Sequence, residues 1–318
     1  MSFAAATDPD LRGLWVPLVT PFAPDGAVDL DALDRLARRV LAEGATGLVA
    51  LGTTGEPAVL DGDEPRVVIE HCAAICAELG RPLVVGAGTN STRSTIAAVE
   101  RLASVPSVVA ALVVVPYYTR PSCDGVVEHF RAVAAASPVP LVAYNVPYRT
   151  GRGLGATDLL RIAAIDNVVG LKQSVGCVDA DTLEVLREAP DGFHVLAGDD
   201  AFIVPTIAMG GAGAIAASAH VCTPLFADMV AAARHGDLTR ARALAESLLP
   251  VVLAGFAEPN PAGWKAALHR AGELATADLR APSAPASPEA TEVLVAAIAE
   301  ARASWAEDCR TFEHRLGA

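Results

Sequence analysis

The chain has 318 residues, of which 52% are hydrophobic and 5% aromatic, and its formal net charge is −13. Length and composition are typical of a compact α/β protein that forms one large domain or two small ones. The acidic balance argues against nucleic acid or an anionic membrane as the partner, because both are polyanions, so an anionic substrate must be held by local groups.

Eight short apolar runs alternate with helical segments between Gly13 and Ala219. The runs are Leu14 to Thr20, Gly47 to Leu51, Leu83 to Gly88, Ala111 to Pro116, Leu141 to Asn145, Val168 to Lys172, His194 to Gly198 and Ala214 to Ala217. Segments such as Asp29 to Glu43, Glu64 to Leu79 and Gly125 to Ala136 repeat apolar residues with the period of a helix. Apolar strands that alternate with helices predict parallel strands covered on both faces, and eight such units favour closure over an open sheet. We therefore predict an α/β fold, a (β/α)8 TIM barrel, over residues 10–234.

The alternation stops after the eighth unit. Three helical patterns follow, at Asp237 to Ala254, Pro261 to Gly272 and Pro288 to Glu307. A proline-rich connector, Ala281 to Pro288, precedes the last of them and favours extended chain. We predict a C-terminal helical extension over residues 235–318 that packs on the barrel.

The apolar runs are too short to predict a membrane-spanning helix. The cysteine spacing predicts neither a metal site nor a disulfide framework. The longest runs, such as Ala110 to Val115 and Leu248 to Phe256, fall short of the roughly 20 residues that a spanning helix needs. Residues Met1 to Asp10 lack the basic start and apolar segment of a signal peptide. The cysteines are scattered without Cys-x-x-Cys spacing, at positions Cys72, Cys76, Cys123, Cys177, Cys222 and Cys309. We expect a cytoplasmic protein in which Cys72 and Cys76 are ordinary buried thiols.

Polar residues follow the predicted strands, where a (β/α)8 barrel carries its active site. They include Thr53, Thr54, Glu56, Tyr117, Tyr118, Asn145, Lys172, Asp199, Asp200 and Ser218. The pair Gly86 and Gly88 lacks a third glycine at dinucleotide-binding spacing, and nothing resembles a phosphate loop. Nucleotide binding is therefore not expected.

Lys172 stands out because the only other lysine in the chain is Lys265. It ends the apolar run that starts at Val168. An amine can lose its proton and attack a carbonyl, whereas a guanidinium stays protonated, and apolar surroundings favour the neutral amine. The simpler alternative is a strand-end lysine that reaches solvent. The rarity of lysine in this chain and the apolar neighbours of Lys172 favour a catalytic lysine instead.

Tyr144 ends the preceding strand, so its phenol can reach toward Lys172 and move protons. A core tyrosine with a hydrogen-bonded hydroxyl is an equally good interpretation of the residue alone. The loop Gly52 to Glu56 can hold a carboxylate through amides and hydroxyls without net charge, although by itself it is only a glycine turn.

Arg149 closely follows Tyr144 and can bind a substrate carboxylate by a bidentate contact, with a solvated loop arginine as the alternative. Asp199 and Asp200 look like a metal pair, but no histidine or third carboxylate lies near them at ligand spacing. We favour turn or helix capping for the two aspartates and predict no metal.

Seven motifs, taken in chain order, resemble the dihydrodipicolinate synthase and N-acetylneuraminate lyase family. They are Gly-Thr-Thr-Gly-Glu (52–56), Val-Pro-Tyr-Tyr-x-Arg-Pro (115–121), Tyr-Asn-Val-Pro-Tyr-Arg-Thr-Gly (144–151), Gly-Leu-Lys-Gln-Ser (170–174), Gly-Asp-Asp (198–200), Gly-Ala-Gly-Ala-Ile (211–215) and Glu-Pro-Asn-Pro-x-x-x-Lys (258–265). The resemblance covers the whole barrel and reaches into the extension.

The resemblance implies a class I aldolase-type lyase that needs no cofactor beyond a covalent Schiff base between Lys172 and pyruvate. Loss of a methyl proton then gives an enamine. The resemblance makes Tyr144 the proton relay, with Thr53 passing protons to Tyr118, which in this family enters the active site of the neighbouring subunit. It also implies a homotetramer or homodimer.

The remaining site residues are likewise implied by the resemblance. Thr54 and the loop amides would hold the pyruvate carboxylate, Ile215 would place its carbonyl near the keto oxygen, and Gly198 would form part of the pocket wall. An arginine in the place of Arg149 is typical of members that condense pyruvate with aspartate 4-semialdehyde in lysine biosynthesis. Two alternatives stay open: a 2-keto-3-deoxy sugar-acid aldolase or dehydratase, and a non-catalytic small-molecule sensor on the same fold.

The sequence departs from the family pattern at three pocket positions. Pro57 replaces a usual serine, Tyr148 a smaller residue, and His220 a common asparagine. All three can reshape the pocket.

In members of the family that lysine inhibits, a histidine and a glutamate occupy the places that here hold Pro65 and Ser94. Asn90 and Tyr117 of that cleft remain. We therefore expect weak or absent inhibition by lysine.

Overall fold

In the computed structural model, which describes the backbone of residues 9–316 and the side chains of residues 9–307, eight parallel strands close into a barrel. The strands are β1 (Gly13–Pro17), β2 (Gly47–Ala50), β3 (Leu83–Gly86), β4 (Val108–Val114), β5 (Leu141–Asn145), β6 (Val168–Gln173), β7 (His194–Ala197) and β8 (Gly213–Ile215). Each strand pairs with the next in the chain, and β8 pairs with β1 to close the barrel. The predicted TIM barrel is confirmed, although β1 ends at Pro17 rather than Thr20 and β4 begins at Val108 rather than Ala111.

Helices connect the strands and continue beyond them. They are α1 (Leu30–Ala42), α2 (Glu64–Leu79), α3 (Thr92–Glu100), α4 (Cys123–Ala136), α5 (Pro147–Thr150), α6 (Ala156–Ala163), α7 (Ala180–Glu188), α8 (Ile203–Ala208), α9 (Thr223–Arg234), α10 (Leu238–Gly255), α11 (Ala262–Arg270) and α12 (Pro288–Leu316). The last three form the helical C-terminal region, and α12 runs past the predicted end at Glu307. The division of the chain into a barrel (10–234) and an extension (235–318) stays a prediction, and residues 317–318 lie outside the described part.

Local sequence explains where the helices start and which face they bury. In α1, Leu33, Leu36 and Val40 recur at helical spacing and are fully or almost fully buried. The Asp29 carboxylate caps this helix by accepting the Ala32 amide at 2.9 Å. Loss of such a cap costs about 0.5–2 kcal/mol.

Apolar side chains fill the molecule in two layers. One layer lies between the strands and the surrounding helices, and the other fills the barrel with residues such as Trp15, Val49, Val142 and Leu196. Successive strand residues point to opposite faces, which explains why the same strands supply both layers. Tyr144 belongs to the inner layer, so the candidate site stands on an apolar floor.

His220 joins the segments that follow β1 and β8. The backbone N–H of Val19 donates to Nε2 at 3.1 Å, and Nδ1 lies 2.7 Å from the Ala217 carbonyl oxygen. Because Nε2 accepts a hydrogen bond, Nδ1 carries the proton and donates to that carbonyl. Burial lowers the pKa of His220 to about 4; the bond to Ala217 opposes this effect and the nearby Arg39 adds to it.

We expect the protein to lose stability as the pH falls from about 6.5 to about 4. Unfolded histidine binds a proton over this range, whereas buried His220 stays neutral, so the loss is absent above the unfolded pKa and complete below the folded one. A pKa difference of about 2.5 corresponds to roughly 3 kcal/mol of unfolding free energy. Burial also lowers the pKa of His129 to about 4, which adds to the effect.

Urea unfolding at neutral pH and at about pH 4.5 measures this loss. His220→Asn removes the titrating ring and keeps one donor and one acceptor, so it should reduce the pH-dependent loss by roughly 2–3 kcal/mol. His235→Asn, which changes an exposed histidine, is the matched control. An unchanged pH dependence in His220→Asn would contradict the assignment.

Within the described residues, no helix has the length and apolar character needed to cross a membrane. Cys72 and Cys76 are free and fully buried in α2, as predicted. Burial raises the pKa of Cys76 to about 12, which disfavours a reactive thiolate. Most of the N-terminal stretch on which the localisation was predicted, residues 1–8, and the side chain of Cys309 lie outside the described residues.

Candidate active site

A cavity of about 610 Å³ opens at the carboxyl ends of the strands. It is lined by seven of the eight residues predicted for the site: Thr53, Thr54, Tyr144, Arg149, Lys172, Gly198 and Ile215. These residues come from segments scattered between positions 53 and 215, and the barrel gathers them because all its parallel strands end on one face.

Lys172 lies on β6 directly opposite Tyr144 on β5. Its Nζ is 4.4 Å from the centroid of the Tyr144 ring, and the side chain is only 6% exposed. Its register partner on β7, Leu196, is buried and apolar. The arrangement places one buried amine beside one phenol, which suits nucleophilic attack and proton transfer.

Gly198 leaves the space that the lysine side chain occupies. A Cβ at this position would lie 2.0 Å from the Ser174 Oγ and 2.9 Å from both Cγ and Cε of Lys172. Any larger residue here would therefore displace Ser174 or the Lys172 side chain, which explains in steric terms why a glycine stands at this position.

Asp199 and Asp200 serve local structure beside the lysine. Asp200 accepts the Ser218 amide at 2.6 Å, and Asp199 accepts the Gly176 amide at 2.6 Å. Burial raises the pKa of Asp200 to about 6, opposed by the Ser218 hydrogen bonds and by Lys172. Burial also raises the pKa of Asp199. Among the described residues, no group of three or more histidine, cysteine or acidic side chains is placed to hold a metal ion.

The loop after β2 forms a 3-10 turn, Thr53–Gly55, at the edge of the cavity. The turn leaves the amides of its first residues without an acceptor within the turn, which is the arrangement that binds a carboxylate. Leu51 and Glu56 flank it with positive φ values of 54° and 56°, a backbone conformation that side-chain-bearing residues rarely adopt. The surrounding structure must therefore hold the loop in place.

The C-terminal region supplies that support, which the sequence did not reveal. Asn260, from the Glu-Pro-Asn-Pro motif, donates its Nδ2 hydrogen to Thr54 Oγ1 at 3.0 Å and lines the cavity. The Glu-Pro-Asn-Pro motif contributed to the family resemblance and could have pointed to Asn260. The resemblance assigned no role to this residue.

Lys265, the second lysine, pairs with Glu56 at the end of the same loop. Its Nζ is 2.5 Å from Glu56 Oε1, and the two side chains are 1% and 3% exposed. The ammonium also donates to the Asp278 carbonyl at 2.9 Å and lies 4.0 Å from the Phe22 ring centroid. Glu56 Oε2 accepts the Arg280 amide at 3.0 Å, so the carboxylate is held from both sides by the C-terminal region.

Arg149 and Tyr148 stand together at the open side of the cavity. The Arg149 guanidinium carbon is 5.6 Å from the Tyr148 ring centroid, and both side chains are exposed. Arg149 lines the cavity with its side chain exposed, as expected of a group that binds a substrate anion.

Tyr118 is the one predicted site residue that does not line the cavity. Its side chain is 88% exposed, and its backbone is in the left-handed region with φ 69°. A single chain therefore does not bring this phenol to Lys172. Its place in the site of a neighbouring subunit stays a prediction.

A second cavity of about 540 Å³ adjoins the first. Thr53, Tyr144, Arg149 and Asn260 line both cavities. Most other residues of the second cavity are apolar or small, among them Leu51, Pro57, Ala58, Pro65, Ala87, Leu112 and Val146.

A cavity at the carboxyl ends of a (β/α)8 barrel, with a buried lysine beside a phenol, defines a TIM-barrel enzyme whose chemistry is built on an amine. Residues 10–301 match the model of the Dihydrodipicolinate synthetase family, and the chain belongs to that family. The family predicted from the motifs is thereby confirmed, as is the prediction that the protein is an enzyme of the lyase class.

Alignments with similar proteins cover most of the chain. The 4-hydroxy-tetrahydrodipicolinate synthase of Moorella thermoacetica is 39% identical over 283 residues, which cover 89% of this chain and 96% of the relative. The enzyme of the same name from Azoarcus sp. is 40% identical over 280 residues, covering 86% and 93%.

Solved structures agree with the fold. The 4-hydroxy-tetrahydrodipicolinate synthase of Methylacidiphilum fumariolicum superposes with a TM-score of 0.89 at 30% identity, covering 93% of this chain and 98% of the other. The chloride-inhibited dihydrodipicolinate synthase of Acinetobacter baumannii, solved in complex with pyruvate, gives a TM-score of 0.88 at 32% identity, covering 92% and 99%.

Proposed function

We propose that the protein is a 4-hydroxy-tetrahydrodipicolinate synthase, which condenses pyruvate with aspartate 4-semialdehyde in lysine biosynthesis. The observation that carries the proposal is the buried Lys172 amine 4.4 Å from the Tyr144 ring, in a cavity that Thr53 and Thr54 also line. The names of the relatives support the same activity, and one structural relative was solved with pyruvate.

In the proposed reaction, the Lys172 amine attacks the keto carbon of pyruvate, and loss of water gives a Schiff base. Removal of a methyl proton converts it to an enamine, whose terminal carbon attacks the aldehyde carbon of the second substrate. In this proposal Tyr144 carries these protons and Thr53 is next along the relay; both residues line the cavity with Lys172. Thr54 and the loop amides hold the pyruvate carboxylate, the Ile215 carbonyl faces the keto oxygen, and no metal takes part.

Arg149 is the reason why aspartate 4-semialdehyde is proposed as the second substrate. Aspartate 4-semialdehyde carries a carboxylate, which a guanidinium can bind by two parallel hydrogen bonds. The overall charge of −13 would repel this anion, so a local cation is needed. Assay of pyruvate and aspartate 4-semialdehyde together, with product detection by mass spectrometry, tests the activity directly.

Arg149→Leu is expected to lower kcat/KM for aspartate 4-semialdehyde by about 10²-fold, because a charge-assisted bidentate contact contributes about 1.5–3 kcal/mol. Borohydride trapping of the pyruvate adduct should remain. Arg152→Leu changes a nearby arginine outside both cavities and serves as the control. Equal losses in the two variants would contradict substrate binding by Arg149.

Weak or absent inhibition by lysine stays a prediction. Pro65 and Tyr117 line the second cavity, whereas Asn90 and Ser94 do not. Pro65 offers no charge to a lysine ligand. Initial rates should change by less than about twofold in millimolar lysine, and strong inhibition at cellular lysine concentrations would contradict the prediction.

The proposal extends to assembly and location. Exposed Tyr118 supports a homotetramer or homodimer in which this phenol enters the partner's site. The free buried thiols Cys72 and Cys76 suit a reducing, cytoplasmic setting. Sedimentation analysis tests the assembly. The sugar-acid aldolase or dehydratase remains the second candidate, because Tyr148 and Pro57 depart from the synthase pattern.

A further inference from the structure

One side of the active-site cavity is built from large apolar side chains. Tyr148 from α5, Phe202 after β7, and Val252, Leu253 and Phe256 at the end of α10 all line it. We call these five residues the apolar wall. Three of them are strongly exposed despite their size: Tyr148 at 64%, Leu253 at 63% and Phe256 at 39%. Apolar surface of this kind, gathered in a cavity, is typical of a ligand-binding site.

The wall belongs to the same cavity as the reacting amine. Lys172 and Tyr144 line it together with the wall residues, so a molecule bound to Lys172 can extend toward the wall. Phe256 is held in place by edge-to-face contact with Trp264, with ring centroids 5.3 Å apart. The wall is therefore at least partly preformed.

Two carboxylates near the wall each accept a backbone hydrogen bond. Asp199 accepts the Gly176 amide, and Glu258 accepts the Ser287 amide at 3.0 Å. Arg149 is the only arginine among the described residues that line the cavity, and its guanidinium lies near the Tyr148 ring. A hydroxylated chain placed against Leu253 and Phe256 would lose hydrogen bonds to water without replacement, at a cost of about 1–3 kcal/mol per group.

We infer that the apolar wall is a subsite for an apolar substituent on the aldehyde, so that the enzyme also adds pyruvate to aromatic and branched aliphatic aldehydes. The inference rests on the proposed enamine chemistry of Lys172. It deepens that function by naming a further class of acceptor, and it disfavours polyhydroxylated sugar aldehydes.

The added reaction is an aldol addition. A carbon–carbon bond forms between the enamine terminus derived from the pyruvate methyl group and the aldehyde carbon. The aldehyde C=O π bond breaks, and its oxygen takes a proton. Water then hydrolyses the Schiff base and restores the Lys172 amine. The product is a 4-hydroxy-2-oxo acid with the combined atoms of the two reactants, and no oxidant or reductant is needed.

The test compares benzaldehyde with D-glyceraldehyde, each with pyruvate and the full chain. Neither aldehyde carries a carboxylate, so Arg149 does not favour either of them. We expect kcat/KM for benzaldehyde to exceed that for D-glyceraldehyde by about tenfold or more. Mass spectrometry should find the product whose mass is the sum of pyruvate and benzaldehyde.

Two variants on α10 locate the effect. Leu253→Ser should lower kcat/KM for benzaldehyde by about tenfold, because an apolar contact of this size is lost, with little change for D-glyceraldehyde. Leu249→Ser changes an exposed leucine on the same helix, 42% exposed and outside the cavity, and should change neither value. Borohydride trapping with pyruvate checks that the amine of each variant is intact.

The outcomes separate this inference from the proposed function. Absence of a pyruvate adduct in the parent protein removes both. A normal adduct without benzaldehyde turnover, or with D-glyceraldehyde preferred, overturns the apolar subsite alone. Equal effects of Leu253→Ser and Leu249→Ser overturn it as well, because the preference would then not come from the wall.

Discussion

Lys172→Ala is expected to abolish the pyruvate adduct and to lower turnover by at least about 10³-fold. The reaction has no other route to an enamine if this amine is the nucleophile, and removal of a covalent nucleophile costs losses of this order or larger. Intact-mass measurement after borohydride reduction with pyruvate shows the adduct in the parent protein. The same measurement on Lys172→Ala should show the unmodified chain.

Two comparison variants make this result specific. Tyr144→Phe keeps the amine and removes only the phenol, so it should still be trapped by pyruvate while turnover falls by about 10²–10⁴-fold, as for loss of a general acid–base group. Lys172→Arg keeps a positive charge but cannot form the adduct. An adduct that persists in Lys172→Ala would assign the chemistry to another amine. Lys265 is the only lysine left in that variant.

Lys265→Met is expected to lower the free energy of unfolding by about 3–5 kcal/mol. The change removes one partner of an ion pair whose side chains are 1% and 3% exposed, and the Glu56 carboxylate is left buried with an amide hydrogen bond from Arg280. Burial lowers the pKa of the Lys265 ammonium, and the facing carboxylate opposes that effect. Chemical denaturation of the parent and variant proteins measures the loss.

A double-mutant cycle identifies the cause of that loss. Glu56→Gln alone leaves the ammonium without its counter-ion, whereas Glu56→Gln combined with Lys265→Met removes both charges. The double variant should therefore be more stable than the sum of the single losses predicts. Lys265→Met should also raise KM for pyruvate, because Glu56 ends the loop that carries Thr53 and Thr54. A loss below about 1 kcal/mol with unchanged KM would show that the pair does not hold the loop.

The two lysines are predicted to have separate roles, and the sequence alone indicated a role only for Lys172. Lys172 follows an apolar run at a predicted strand end, so the barrel topology alone assigned it to the active-site face. Lys265 lies in a helix of the C-terminal region, and its partner Glu56 is far away in the chain. Their contact depends on how the C-terminal helices pack against the loop after β2.

The sequence by itself determined the number and kind of the elements. Apolar runs with intervening helical periodicity predicted eight β/α units, and this number favoured the closed barrel that the strands form. Lys172 and Tyr144 were predicted as neighbours because consecutive parallel strands end side by side, and they are register partners. Thr53 and Thr54 were assigned to the site by the same topology and Arg149 by its closeness to Tyr144, whereas Gly198 and Ile215 were assigned only by the family resemblance.

Only the tertiary structure shows which residues support the cavity and which residues form the apolar wall. The Asn260 contact to Thr54 spans 206 positions in the chain, and Leu253 joins the cavity through the helix that follows the barrel. Local periodicity reports which face of a helix is apolar, but not which distant loop that face meets, because long-range packing is set by the whole fold. The candidate reactive centre could therefore be predicted from the sequence, whereas the supporting ion pair and the apolar wall depend on contacts that only the folded chain shows.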